Sequence, residues 1–345
     1  MKIIAIHLPQ FHQIPENDKW WGEGFTEWTN LNKPNKFGAG LQPLLGQYNL
    51  LDKETMIMQN RLAKEYSIFG FCYYHYYFTG KKLLERPIEN LLKWTDIDQP
   101  FCLYWANHDW KRSWEGKNEI LIKQEYGDEK DWEKHFNYLK QFFLDTRYIK
   151  IDNKPVFVIF NIKFEEKEKI ISFFDRKCKE IGFAGIYYVQ SVYDEKHIKS
   201  GLLAPNTDAI FLREPGYSMK ISFRSKVFNK IRRVVFKKTS IYTAKKIYTD
   251  SIKNAKRFPY NIKYFLGAFA MWNNTYRHGK RGYIIKKGTR KEFLHYIKAL
   301  KQIAEEKNIE YCFYNAWNEW AEGMILEPDT KNKYMLLESI KEAME

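Results

Sequence analysis

The chain lacks any apolar run approaching the length that spans a bilayer. No charged segment followed by an apolar one opens it, because Met1-Lys-Ile-Ile-Ala-Ile-His-Leu-Pro9 runs straight into a polar loop. A cytoplasmic protein is the expectation. Cysteine is scarce too: Cys72, Cys102, Cys178 and Cys312 show no paired spacing, which points to buried, reduced thiols rather than a disulfide scaffold. No glycine-rich phosphate loop follows the first strand-like segment, which argues against a doubly wound nucleotide-binding sheet. Acidic residues are missing from one stretch altogether, since between Glu214 and Asp250 there are ten Lys or Arg and no Asp or Glu.

What is abundant is aromatic. Rings make up 17% of 345 residues, with 11 Trp and 24 Tyr, more than core packing alone requires. Two readings stand: a ligand with flat apolar faces, such as a sugar, or a core rich in Tyr and Phe. The length allows two domains, yet α/β barrels of this size form one, and a single domain is the default. The net charge of +15 asks for an anionic partner or one strongly basic face.

Hydrophobic patterning predicts strands at Ile3–Leu8, Ile68–Phe78, Phe101–Ala106, Pro155–Phe160, Ile186–Ser191, Asp208–Leu212, Tyr264–Trp272 and Glu310–Trp317. Helices are predicted at Glu54–Tyr66, Pro87–Trp94, Trp132–Phe143, Glu165–Ile181, Lys291–Glu306 and Tyr334–Met344. Eight strands alternating with helices is the count of a (β/α)8 TIM barrel, an α/β fold whose active face lies at the strand C-termini.

Unusual residues collect at those ends. His7, Gln10 and His12 follow strand 1, and the long loop beyond supplies Trp21, Glu27 and Trp28. His75 and Tyr77 end strand 2. Trp105, Asn107, His108, Asp109 and Trp110 lie at the end of strand 3, Arg213 and Glu214 after strand 6, and Trp272, Asn273 and Asn274 at strand 7. Strand 8 runs into Trp317, Asn318, Glu319, Trp320 and Glu322, with Glu327 beyond and before Pro328.

Acting on a glycosidic bond needs one carboxyl group to protonate the leaving oxygen and another to serve the opposite face of the sugar. Glu319 and Glu322 are three apart, so a helical turn would place both on one face, with Cβ atoms roughly 5–6 Å apart. A solvated helix start with Glu favouring the dipole is the plain alternative. Glu327 is expected in a structural or supporting role.

Several motifs then converge: Leu8-Pro-Gln-Phe-His12 with Pro15-Glu-Asn-Asp18, Trp20-Trp-Gly22 with Gly24-Phe-Thr-Glu-Trp28, Gly70-Phe-Cys-Tyr-Tyr-His75, Leu84-Glu-Arg-Pro87, Trp105-Ala-Asn107, and Asn315-Ala-Trp-Asn-Glu-Trp-Ala-Glu-Gly323. Together they resemble the WbsX-type proteins, whose domain is similar to glycoside hydrolase family 99, the endo-α-mannosidases and endo-mannanases. The resemblance implies a barrel and retaining chemistry without metal or cofactor, in which the sugar's own 2-hydroxyl attacks C1. By position in the motif, Glu319 would be the base on that hydroxyl and Glu322 the acid and later base at the glycosidic oxygen. The other residues at or near the strand ends, His7, Gln10, His12, Trp21, Glu27, Trp28, His75, Tyr77, Trp105, Asn107, Trp110, Trp272, Asn273, Trp317, Asn318 and Trp320, are candidate substrate contacts. His108 and Asp109 stand where the resemblance leads one to expect a carboxylate, and Arg213-Glu-Pro-Gly216 replaces an apolar, proline-rich turn. Many WbsX-type proteins are labelled glycosyltransferases and associated with surface polysaccharides such as O-antigen and capsule, so hydrolysis does not follow. Three readings stay open: a retaining glycosidase-like enzyme, a glycosyltransferase with an activated or lipid-linked donor, and a glycan-binding barrel without turnover.

Asp96-Ile-Asp98 looks like a metal-holding pair of sugar-nucleotide transferases, but it precedes strand 3 and reads as a turn. His7, His12, His75 and His108 lack helical ligand spacing and are read as sugar contacts rather than metal ligands. Residues 214–262 form a basic insertion between strands 6 and 7. Within it, residues 219–238 place Phe223, Val227, Ile231, Val234 and Val235 on one helical face amid basic neighbours. Such a helix suits an anionic inner-membrane surface or a lipid-linked glycan, or else packs in the barrel's outer ring. No nucleic-acid motif accompanies the charge. Vesicles containing anionic lipid are therefore expected to recruit the protein in a salt-sensitive way that charge reversal within residues 219–238 abolishes. Recruitment that survives the reversal contradicts this reading.

Overall fold

Eight parallel strands close on themselves in the computed structural model, which describes residues 1–345 apart from 34–39, 113–118, 162, 202, 205, 222–238 and 280–281. They are β1 (Lys2–His7), β2 (Ile68–Phe78), β3 (Phe101–Trp105), β4 (Lys154–Ile159), β5 (Tyr187–Val192), β6 (Thr207–Leu212), β7 (Tyr264–Ala268) and β8 (Tyr311–Tyr314). Each pairs with the next, and β8 returns to β1 with Tyr311 opposite Lys2. This is the (β/α)8 barrel that the patterning predicts. Its outer ring is α1 (Lys53–Glu65), α2 (Arg86–Lys93), α3 (Glu129–Phe143), α4 (Lys167–Glu180), the single turn α5 (Lys196–Lys199), α6 (Ala244–Lys256), α7 (Arg290–Glu306) and α8 (Met335–Met344).

Local chemistry explains where these helices start and which side they bury. Thr289 Oγ1 accepts from the Glu292 N–H while Glu292 Oε2 accepts from the Thr289 N–H, a reciprocal cap on α7. Phe293, Tyr296, Ile297, Leu300 and Ile303 then recur at helical spacing and are all buried. Helix α6 escapes the patterning because several of its buried positions are small or polar: Ala244, Ser251 and Ala255 accompany Ile247 and Tyr248. Its Tyr248 stacks on Tyr296 of α7 at 4.4 Å, so α6 fills the outer-ring place between β6 and β7. Of the basic stretch 219–238, residues 222–238 lie outside the described residues. Among the described residues, no helix is long and apolar enough to cross a membrane.

Inside the barrel, rings from different strands meet. Tyr74 of β2 stacks on Tyr104 of β3 at 5.0 Å, Tyr104 meets Phe211 of β6 at 5.9 Å, and Phe211 meets Phe313 of β8 at 4.7 Å. These side chains form the floor beneath the C-terminal mouth. All four cysteines are free and buried.

Strands β7 and β8 end several residues sooner than the patterning predicts. β7 stops at Ala268, and Trp272–Asn273 instead joins a separate three-stranded sheet with Ser240–Thr243 and Tyr283–Lys286. β8 stops at Tyr314, beyond which the chain turns across the mouth. At the β6–β7 crossing a Cβ on Gly267 would lie 1.7 Å from the Leu212 carbonyl oxygen. Only glycine lets these two backbones approach so closely. Gly267→Ala is accordingly expected to destabilise by about 3 kcal/mol or more, at or above the usual overpacking range. Chemical denaturation measures this, and a loss below about 1 kcal/mol would contradict the packing described.

Candidate active site

The C-terminal mouth holds a cleft with two adjoining lobes of ≈ 470 and ≈ 300 Å³. Phe160, Arg213, Glu319 and Glu322 line both lobes and so mark their junction. Every strand contributes from its C-terminal side: Gln10 after β1, Tyr74 on β2, His108 after β3, Phe160 after β4, Tyr193 after β5, Arg213 after β6, Trp272 after β7 and Glu319 after β8. The larger lobe is aromatic and aliphatic, walled by Tyr242, Trp272 and Tyr283 of the small sheet together with Met219 and Met324. The smaller one is polar, with Gln10, Glu27, His108, Asp109 and Lys111.

The segment carrying the two carboxyl groups is fastened at several points. Asn318–Glu319 pairs antiparallel with Met324–Ile325, and Trp320–Glu322 makes one 3-10 turn between them. Asn318 grips the end of β1, its Oδ1 accepting from the Leu8 N–H at 2.7 Å and its Nδ2 donating to the Leu8 carbonyl at 3.1 Å. Glu27 Oε1 accepts from the Ala321 N–H at 3.0 Å. Behind them, the buried Glu327 accepts from Tyr48 Oη at 2.8 Å, Gln59 Nε2 at 2.8 Å and Trp320 Nε1 at 2.7 Å. Glu327 thus ties the loop to α1 and to the chain before it, which accords with a structural rather than a reacting role.

Trp272 Nε1 donates to Glu322 Oε2 at 2.9 Å. Arg213 lies over the Phe160 ring at 4.3 Å. Burial weighs against the Arg213 charge, but the neighbouring Tyr104, Tyr74, Glu319 and Glu322 more than offset it and hold the guanidinium above its ordinary range. Its cation is therefore a fixed feature of the junction.

Of the residues expected to contact substrate, Gln10, Glu27, Trp110 and Trp272 line the cleft with Glu319 and Glu322. Strand parity decides the place of others. Tyr74 and Tyr76 face the cleft, so His75 and Tyr77 point the opposite way, toward α3. There His75 Nε2 meets His135 Nε2 at 2.8 Å, and Tyr77 stacks on His135 at 3.8 Å and donates to Asp131. Trp105 packs edge-on against the same His135 at 5.0 Å. Asn107 clasps the backbone of Asn161, accepting its N–H at 2.7 Å and donating to its carbonyl at 2.8 Å.

Near β1, His7 donates from Nε2 to Gln59 Oε1 at 2.9 Å, and burial lowers its pKa to about 4. His12 donates from Nδ1 to the Pro9 carbonyl and is likewise pushed down to about 4, chiefly by burial. Trp28 donates to the Tyr48 carbonyl at 2.7 Å, Trp21 stacks on Phe25, and Trp317 packs against Phe71. Asn273 accepts from Thr275, and Asn318 and Trp320 brace the loop as described. These residues do not line either lobe. Of His7, His12, His75 and His108, only His108 does. Asp96 and Asp98 pair with Lys53 and Lys64 of α1, away from the mouth. Among the described residues, no group of three or more His, Cys, Asp or Glu is placed to hold a metal ion.

Residues that sequence reasoning passed over include Tyr74, Tyr76, Phe160, Tyr242 and Tyr283. Parity along β2 was available as a signal for the first two. Nothing in the local pattern announces that Ser240–Thr243 and Tyr283–Lys286 would pair beside Trp272.

A family model described as Glycosyltransferase WbsX matches residues 3–340. The chain is 30% identical over 356 aligned residues to proteins described as Uncharacterized protein WxcX from two strains of Xanthomonas campestris pv. campestris, covering 99% of this chain and 49% of each relative. It thus spans about half the length of these curated relatives. Among solved structures, a glycoside hydrolase-like protein aligns with a TM-score of 0.61 at 14% identity, over 99% of this chain and 93% of that one. A GH99 endo-alpha-mannosidase from Bacteroides thetaiotaomicron aligns with a TM-score of 0.60 at 11% identity, over 99% and 96%. At such identities the likeness is one of fold.

Burial pushes the Glu327 carboxyl up to about 7 despite its three donors. An unfolded glutamate releases its proton near pH 4.3, so between there and about pH 7 the folded protein holds a proton that the unfolded chain has lost. Stability contributed by this group is present in acid and falls as pH rises through that window, by on the order of 3–4 kcal/mol. Glu214, also pushed up to about 7 by burial, adds a second share. Glu327→Gln is expected to flatten part of this slope in denaturant titrations at pH 5, 6 and 7. An unchanged slope contradicts the assignment.

Proposed function

The chain belongs to the WbsX glycosyltransferase family, a group of carbohydrate-active enzymes, and on that premise we propose that it makes or breaks glycosidic bonds with retention of configuration, in surface-polysaccharide metabolism. The observation that carries this reading is the position of Glu319 and Glu322 at the junction of two lobes, with one oxygen of Glu322 held by Trp272. A bond to be cleaved lies across such a junction with a sugar on one side and its leaving group on the other.

In the proposed sequence Glu319 takes the proton of the sugar's 2-hydroxyl as O2 attacks C1. The bond from C1 to the leaving oxygen breaks, and that oxygen takes a proton from Glu322. The acceptor hydroxyl then returns a proton to Glu322 as it attacks C1, the C1–O2 bond opens, and O2 recovers its proton from Glu319. Two displacements at C1 leave its configuration unchanged. The Trp272 hydrogen bond on Oε2 supports a role for Oε1 of Glu322 as the proton-bearing oxygen, since the accepting oxygen is the carbonyl-like one in a protonated carboxyl. Arg213 supplies one positive charge beside two carboxyl groups, which suits a division of labour between one carboxylate and one acid.

Transfer from an activated or lipid-linked sugar is the second reading, and the transferase description of the family favours it. Product that forms only when an activated donor is supplied distinguishes transfer from hydrolysis. A glycan-binding barrel without turnover would bind and release its ligand unchanged.

Glu319→Gln and Glu322→Gln are each expected to lower turnover at least about 100-fold while glycan binding persists. Trp272→Phe, which removes one donor to Glu322, is expected to cost about tenfold. Steady-state rates beside equilibrium titrations test both expectations, and full activity in either Gln variant contradicts the mechanism.

A further inference from the structure

Asn315 is the first residue beyond β8, and it lines the aromatic lobe although it is only 6% exposed. Its place is fixed twice. The backbone N–H donates to the Ala268 carbonyl at the end of β7 at 2.8 Å, and Nδ2 donates to the Glu214 carbonyl at 3.1 Å. Because Nδ2 must face that carbonyl, the amide cannot turn over, and Oδ1 is committed to the other side. Oδ1 is buried and has no hydrogen-bond partner among the described residues. A buried carbonyl oxygen left this way loses its hydration without a hydrogen bond in return, and proteins seldom leave one unmatched.

The surroundings say what could match it. The Glu214 carboxyl beside it is already taken by Ser218, whose Oγ donates at 2.6 Å and N–H at 3.1 Å. Arg213 and Lys220 bring further donors to the lobe, while Trp272, Met219 and Met324 bring apolar surface. A pyranose can give a hydrogen bond to Asn315, take one from a cation and lay an apolar face on a ring. An alkyl carrier chain offers no donor.

Resting on the glycosidic reading above, we propose that Asn315 is a specificity-determining residue whose Oδ1 accepts a hydrogen bond from an O–H or amide N–H of the sugar unit in the aromatic lobe. It selects for a donor at one position of that ring.

The test uses the full chain and a panel of methyl glycosides of mannose, glucose, galactose and N-acetylglucosamine, titrated by ligand-observed NMR. The tightest binder is then compared with its monodeoxy analogues and, where it carries an acetamido group, with the O-acetyl analogue, which separates O–H from N–H donors. For the wild-type protein, loss of one particular donor is expected to weaken binding about five- to tenfold. Asn315→Ala is expected to bind the parent glycoside as weakly and to be indifferent at that position. If every analogue binds the wild type within twofold of its parent, or if Asn315→Ala keeps the same positional preference, the inference is overturned while the glycosidic reading stands. If no glycoside binds, both fall. Should Asn315→Ala fail to fold, the analogue series on the wild-type protein decides alone.

Discussion

The mouth of this barrel depends on a buried carboxyl group that lines neither lobe of its cleft. Glu327 accepts from Tyr48, Gln59 and Trp320, which lie on the long first loop, on α1 and on the turn carrying Glu322. Gln59 in turn accepts from His7 on β1. One side chain therefore links the first strand, the first helix and the last loop. In a buried site, removing any one partner leaves a polar group unmatched, which makes such a network cooperative and rigid. Rigidity is what the two carboxyl groups proposed to react from this short turn would require.

Outward from that knot, the cleft divides by chemistry. Its polar lobe draws on the loops after β1 and β3, and its aromatic lobe on the small sheet beside β7. Arg213 stands between, its guanidinium over Phe160 and near both Glu319 and Glu322. Arg213 and His108 occupy places where family resemblance leads one to expect other residues. Both line the cleft, so the departures bear on what the cleft would accept more than on whether the fold is kept.

Much of the fold was legible because barrel strands, buried on both faces, read as short apolar runs between turn signals. The patterning extends β7 and β8 too far, since Phe269–Trp272 stays apolar and Ala316–Trp317 follows Asn315 while the backbone leaves the barrel. Helix α6 was missed because Ala244, Ser251 and Ala255 hold several of its buried positions, where larger apolar residues would have shown the period. The carboxyl pair was legible as a local cluster. The aromatic lobe was not, because its walls are joined only by pairing of segments far apart in sequence. His75 and Tyr77 illustrate the finer limit. A strand-end position indicates nearness to the mouth, but alternation along β2 sends them to α3 and sends Tyr74 and Tyr76 to the cleft.

Bracing residues outnumber the two carboxyl groups proposed to react. Asn318 and Glu27 bind backbone and brace the loop, while Asn107 does the same between the ends of β3 and β4. Their hydrogen bonds explain why so many polar residues crowd the strand ends without all reaching a ligand. What the braced pair does is read out by the anomeric configuration of the first product. Proton NMR of that product during turnover is predicted to show the configuration of the substrate, whether water or another sugar accepts. A product of inverted configuration would contradict two successive displacements at C1 by way of Glu319 and Glu322.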